Sequence, residues 1–146
     1  MTKPIIIVLD DMIERIDWLR KEFDDQTEII WAKSVKQFFE ELMLCDRQLL
    51  RLILLDHDLG GVVIDDDITS LHTEHWPLDP DGKNGSDAVD GLDGWDDVPV
   101  IVWSINSVSA PLMVDELKDK GFSAGWIPFL TTHHSMLRFM ITQLIA

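Results

Sequence analysis

Residues 52–61 read LILLDHDLGG: four apolar residues, then Asp56, His57 and Asp58, then Leu59 and two glycines. An apolar run of that length, rich in branched side chains and closed by glycine, predicts a parallel strand covered on both faces. In open sheets of parallel strands, ligands bind just beyond the strands' carboxyl ends. Two carboxylates and an imidazole therefore stand where chemistry is expected.

Strands and helices alternate on both sides of this run. Pro4 to Leu9 is a continuous apolar strand, and Ile13, Ile16, Leu19, Arg20 and Phe23 follow at helical spacing, ending at Asp24-Asp25. A short second strand, Glu28 to Trp31, leads to Ser34, which with Gln37 has the spacing of a capping box before the stripe Val35, Phe38, Phe39 and Leu42. Beyond the third strand the reading is a polar segment to Asn84, a short helix from Ser86 to Leu92, and a strand from Val98 to Trp103. A helix then runs from about Pro111 to Lys120, stopped by Gly121, before a fifth strand, Ala124 to Ile127, and a last helix, Thr132 to Ile145. Five strand–helix pairs predict an α/β fold, a doubly wound five-stranded parallel sheet in the flavodoxin-like order 2-1-3-4-5, between two helical layers. A length of 146 residues fits one domain over 1–146, interrupted by a long insertion at about 60–84. That insertion, with Asp65-Asp66-Asp67, His72, Glu74, His75, Pro77 and Pro80, is read either as a lid over the third strand or as a solvated surface loop.

Charge narrows the function classes. With 27 acidic against 12 basic residues, a net charge of −15 argues against direct binding to a nucleic-acid backbone, though phosphates can still bind through a cation. Cys45 is the sole cysteine, so no intrachain disulfide forms, and its apolar helical setting predicts a buried structural thiol. Nothing resembles a signal peptide or a membrane span, so the expectation is a soluble cytoplasmic protein.

In the expected strand order the first and third strands are neighbours, which gathers Asp10-Asp11, Asp56 and Asp58 at one edge, with Ser104 and Asn106 beside them after the fourth strand. Carboxylates converging there repel unless a cation sits among them. Hard oxygen ligands favour Mg²⁺, or Mn²⁺, which accepts phosphate oxygens and offsets charge on a phosphoryl group. Single acids could instead cap neighbouring helices, a role that does not explain three at one edge.

At these residues the sequence resembles the response-regulator receiver superfamily, over nearly the whole chain. IIIVLDD is similar to that family's first strand with its metal-binding acid pair, here Asp10 and Asp11. LILLD is similar to the third strand ending in the phosphoacceptor aspartate, here Asp56, and VPVIVWS to the fourth strand ending in the switch hydroxyl, here Ser104. The resemblance also implies a metal-binding backbone carbonyl at Asp58 and a cis peptide before Pro128. It departs where the family carries Lys-Pro, for here the pair is Ile127-Pro128. DHDLGG, a later NG.D and S.N resemble a divergent branch of receiver-like domains proposed to process cyclic phosphates; that branch carries a histidine where this chain has Trp103.

Three functions stay open. In the first, Asp56 accepts a phosphoryl group in a Mg²⁺-dependent phosphorelay, from a partner such as a histidine kinase, and Ser104 reports occupancy. In the second, the acids hold the metal of a phosphoesterase acting on a small cyclic phosphate or nucleotide, with His57 as general acid or base. In the third, a degenerate receiver only binds a partner. His72 and His75, three apart, have metal-ligand spacing but read as loop, neighbouring His133-His134 would point apart, and the run Asp93 to Asp97 reads as a turn. Trp18 and Trp31 fit core positions, and Trp103 and Trp126 end strands at the active edge, where aromatic rings more often pack than stack on bases; Trp103, beside Ser104, is the one to test for stacking. Phe122, Trp126, Phe129 and Met136 offer an apolar face for a homodimer or partner.

Overall fold

The computed structural model describes residues 3–59, 63–64, 71–72, 83–128 and 133–146. Along them run β1 (Ile5–Leu9), α1 (Ile13–Phe23), β2 (Glu28–Ala32), α2 (Val35–Leu44), β3 (Leu50–Leu55), β4 (Val63–Ile64), β5 (Leu71–His72), α3 (Gly85–Asp90), β6 (Val100–Trp103), α4 (Ser109–Asp119), β7 (Ala124–Ile127) and α5 (His134–Ile145). Five strands pair in parallel in the order β2-β1-β3-β6-β7, the predicted 2-1-3-4-5 once the short antiparallel pair β4 and β5 is set aside.

The apolar runs are continuous because both faces of the sheet are covered. Ile5, Ile7, Leu9, Ile53, Leu55, Val100 and Val102 pack with Val35, Phe38 and Leu42 of α2, Val89 of α3 and Met113 and Leu117 of α4. The alternate residues Ile6, Val8, Leu52, Leu54, Ile101 and Trp103 pack with Ile16, Leu19 and Phe23 of α1 and Leu137 and Ile141 of α5. This period-two division makes three layers and leaves β1, β3 and β6 ending together at one edge.

Local chemistry moves several boundaries. Ser34 Oγ accepts from Gln37 N at 3.1 Å, but the Gln37 side chain takes Lys33 N at 2.9 Å, one residue before the cap, so the box closes one step early. The reciprocal capping box is at α3, where Asn84 Oδ1 accepts from Ser86 N at 2.9 Å and Asp87 Oδ2 accepts from Asn84 N at 2.9 Å. Helix α4 begins at Ser109, ahead of the expected Pro111, because Asn106 Oδ1 takes the N–H groups of Val108 and Ser109 at 3.2 and 2.8 Å. Its end is a Schellman motif: Gly121 at φ +93°, Gly121 N on Lys118 O and Phe122 N on Leu117 O, both at 3.0 Å.

Helix α1 does not turn as expected. Ile13 is 45% exposed and Arg20 is exposed, while Arg15 is buried at 3%. The Ile127–Pro128 peptide is trans, correcting the expected cis bond. Cys45 caps the end of α2 and is half-buried where a buried thiol was expected, with Sγ 3.4 Å from Leu42 O, and burial pushes its thiol pKa up. The run Asp93 to Asp97 is turn, with Gly94 at φ +90° and Asp97 paired to Arg47, which stacks on Trp95. Among the described residues no helix is long and apolar enough to cross a membrane. Of the lid or loop expected at about 60–84, residues 60–62, 65–70 and 73–82, with Glu74 and His75, lie outside the described residues.

Candidate functional site

Strand pairing fixes the loops that carry the acids: Asp10 N donates to Ala32 O at 3.0 Å and Asp56 N to Leu9 O at 2.9 Å. Asp10, Asp11 and Asp56 each then offer an oxygen within 4.8 Å of the others. Asp10 and Asp56 are buried, at 1% and 4% exposure.

Arg15, which sequence reasoning passed over, joins them. Its Nη1 lies 2.9 Å from Asp10 Oδ2, 3.0 Å from Asp56 Oδ2 and 3.2 Å from Trp103 O. Burial raises the Asp56 pKa to about 7, helped by the charge of Asp10 and opposed by Arg15 and a hydrogen bond from the Ser104 hydroxyl. Burial likewise raises Asp10 to about 6, against Arg15 and the Met12 N–H, which lies 2.9 Å from Asp10 Oδ1. Three ionised carboxylates and one guanidinium sum to −3 + 1 = −2, which a single divalent cation balances. Oxygen donors of this charge and spacing fit Mg²⁺ or Mn²⁺.

Two tryptophans steady the edge. Trp31 Nε1 donates to Asp10 O and Trp126 Nε1 to Ser104 O, each at 2.8 Å. Trp103 takes the packing role of the two expected: at 1% exposure its ring lies in the core against Trp18 and His134, with the Arg15 guanidinium 5.7 Å from its centre, so no base can stack on it. Burial also lowers the pKa of His134, which stacks on Trp18 at 4.7 Å.

Gly85 is held where only glycine fits. Its N–H donates to His57 O at 2.9 Å, and a Cβ there would collide with the Asp56 carbonyl and come within 2.8 Å of His57 Cα. Gly85→Ala is therefore expected to cost about 3 kcal/mol, at the upper end of overpacking. Gly125→Ala, with open space around it, should change stability little. Urea midpoints of the two variants check this contrast, which equal losses would contradict.

The fold occurs in solved proteins. The chain is similar to a CheY-like response regulator receiver domain protein from Methanospirillum hungatei JF-1, with TM-score 0.64 and 12% identity over 98% of this chain and 94% of that one. The chain has the receiver fold. A sensor protein from Polaromonas sp. JS666 (TM-score 0.66, 15% identity, covering 99% and 97%) and the receiver domain of NtrX from Brucella abortus (0.59, 16%, covering 95% and 97%) are similar to it as well. At such identities the likeness is one of fold. No family model and no curated protein matches the sequence.

On this receiver fold, Asp10, Asp11, Asp56 and Ser104 come together as the sequence placed them, and His57, Asp58 and Asn106 form a second group beside them. The Asp58 carboxylate bonds His57 and Asn106 and stands apart from the three clustered acids. Ile127, where the resemblance implies a lysine, is buried at 2% in the α1–α5 layer, and the positive charge beside Asp56 is that of Arg15 from α1. Of the expected docking face, Phe122 is core, Trp126 is partly buried, Met136 is exposed and Phe129 lies outside the described residues.

Proposed function

We propose that the protein is a receiver-type signalling domain, acting over 1–146 as one unit, in which Asp56 accepts a phosphoryl group from a phosphohistidine partner or a small acyl phosphate. The observation that carries this reading is the buried Asp56 carboxylate, ion-paired to Arg15, hydrogen-bonded by Ser104 and facing Asp10 and Asp11. An Asp56 oxygen would attack phosphorus in line, forming the acyl phosphate bond as the bond to the donor's leaving group breaks. Such transfer needs positioning and charge stabilisation above all. Asp10, Asp11 and Asp56, with the Asp58 carbonyl as a further expected donor, would hold Mg²⁺ or Mn²⁺, which when bound neutralises charge on the phosphoryl oxygens.

The chain's own residues supply the rest. Arg15 presents a fixed positive charge to the Asp56 carboxylate that would take up the phosphoryl group. The Ser104 hydroxyl, which bonds the free carboxylate, would turn to a phosphoryl oxygen once Asp56 is occupied. A histidine kinase is the kind of donor this chemistry requires, and the cytoplasm is where such donors present their phosphohistidine. A second reading, phosphoester hydrolysis with His57 as acid or base, draws on the bond between His57 and Asp58.

Intact-protein mass after incubation with acetyl phosphate tests the first reading. One phosphoryl group is expected on the wild type with Mg²⁺, and none in EDTA or on Asp56→Asn. Equal uptake by the Asp56→Asn protein would overturn it.

A further inference from the structure

We propose that Trp31 is a positioning residue for the metal site: the bond from its indole N–H to the Asp10 carbonyl holds the acid pair Asp10-Asp11 in the arrangement that binds Mg²⁺. This rests on the reading of Asp10, Asp11 and Asp56 as the metal's ligands, and Trp31 acts through them without touching the ion.

Strand β1 ends at Leu9 and β2 at Ala32, so the Asp10 carbonyl lies just past the last paired residues. A main-chain carbonyl left there must find another donor. Trp31 Nε1 supplies it at 2.8 Å, from the strand alongside. Asp10 N is at the same time bonded to Ala32 O at 3.0 Å. Both peptide groups that flank Asp10 are therefore tied to β2. The second of them joins Asp10 to Asp11, and because a peptide is planar, fixing its carbonyl also fixes the direction in which Asp11 N and Cα leave. One indole thus governs the relation between two of the three carboxylates that lie within 4.8 Å of one another. The bonds to the Asp10 side chain do a different task. Met12 N on Oδ1 and Arg15 Nη1 on Oδ2, both at 2.9 Å, orient that carboxylate, whereas the indole acts on the peptide that leads to the next one.

The ring is itself held. Lys33 Nζ lies over it, 4.5 Å from its centre, and Lys33 N donates to Gln37 Oε1 at 2.9 Å, which anchors that stretch to α2. The half-buried ring also packs against the cluster beneath α1 and α5. A half-buried indole that served packing alone could leave its N–H to water; here the N–H is spent on the backbone of a metal-site acid.

Partners that orient metal ligands without touching the ion change affinity by about 10–100-fold when they are removed. Trp31 works through a main-chain carbonyl, so the lower end of that range is expected.

The test is Mg²⁺ titration of the metal-free protein, followed in heteronuclear NMR spectra by backbone amide and indole N–H signals. Trp31→Phe keeps an aromatic ring and removes the N–H. It is expected to bind Mg²⁺ about tenfold more weakly than the wild type, while Trp95→Phe, ahead of β6 at the opposite end of the sheet from the acids, keeps the wild-type constant. In the wild type the Trp31 indole signal should shift with the same constant as the amides of the acid loops. An unchanged constant in Trp31→Phe, whatever its urea midpoint, means that Trp31 serves the fold alone and overturns the proposal while leaving the metal site standing. If Trp31→Phe does not fold, the indole signal decides, and one that stays in place at saturating Mg²⁺ overturns the proposal. A folded wild type that binds no Mg²⁺ overturns the metal reading, and this inference falls with it.

Discussion

Arg15→Met is expected to destabilise the protein by about 3–5 kcal/mol at about pH 8 and by much less at about pH 5. Methionine keeps most of the apolar volume of the arginine stem, so the change isolates the charge. At the higher pH, Asp10 and Asp56 are both largely ionised, with folded pKa values of about 6 and about 7. Removing Arg15 then leaves two buried carboxylates facing each other and takes a donor from Trp103 O. At the lower pH both acids already hold protons, and the guanidinium has no anion to offset. Urea unfolding at the two pH values measures the difference; an equal loss at both would mean that Arg15 acts through packing and not through charge.

Asp56→Asn is expected to have the opposite effect on the metal-free protein, stabilising it at about pH 8 by on the order of a few kcal/mol. The Asp56 pKa stands at about 7 in the folded chain against an ordinary 3.8, and burial is the largest cause. Between those values the folded state keeps a proton that the unfolded state gives up. The stabilisation is therefore whole below about pH 4 and is lost as pH rises through about 7. Asp10, raised to about 6, adds to the same slope. The wild type without metal should lose stability from about pH 4 to about pH 7, and the asparagine, which cannot ionise, should remove the larger part of that loss. Saturating Mg²⁺ should restore the wild type at about pH 8, by about 2.7 kcal/mol at a hundredfold excess over Kd, and should restore Asp56→Asn less. A wild-type stability that rises with pH in this window would contradict the assigned shifts.

Much of this was legible in the chain. Parallel strands buried on both faces must be apolar throughout, so LILL and IIIVL announce themselves, and the acids that end them stand out against that background. The order of the strands then brings Asp10, Asp11 and Asp56 together without further information. Arg15 was hidden by the same logic. A helix face traced at helical spacing through Ile13 and Arg20 passes over Arg15, whereas the buried face runs through Arg15, Ile16, Leu19 and Phe23 because carboxylates from β1 and β3 wait at its upper end. Only the pairing of those two strands reveals that a cation belongs there. For Trp103 the sequence left packing and stacking both open. Its place beside Ser104 suggested the site, yet alternation along β6 turns the ring with Ile101 into the α1–α5 layer. The early start of α4 was not legible, since it depends on Asn106 Oδ1 reaching two backbone donors across the turn.

The most direct measurement is to locate the phosphoryl group itself. Protein treated with acetyl phosphate, with and without Mg²⁺, is reduced with borohydride, which marks acyl phosphates, and digested for peptide sequencing by mass spectrometry. The account predicts a single mark at Asp56, present with Mg²⁺ and absent in EDTA. A mark at another carboxylate, a phosphoryl group carried by His57, or labelling that does not depend on the metal would contradict it.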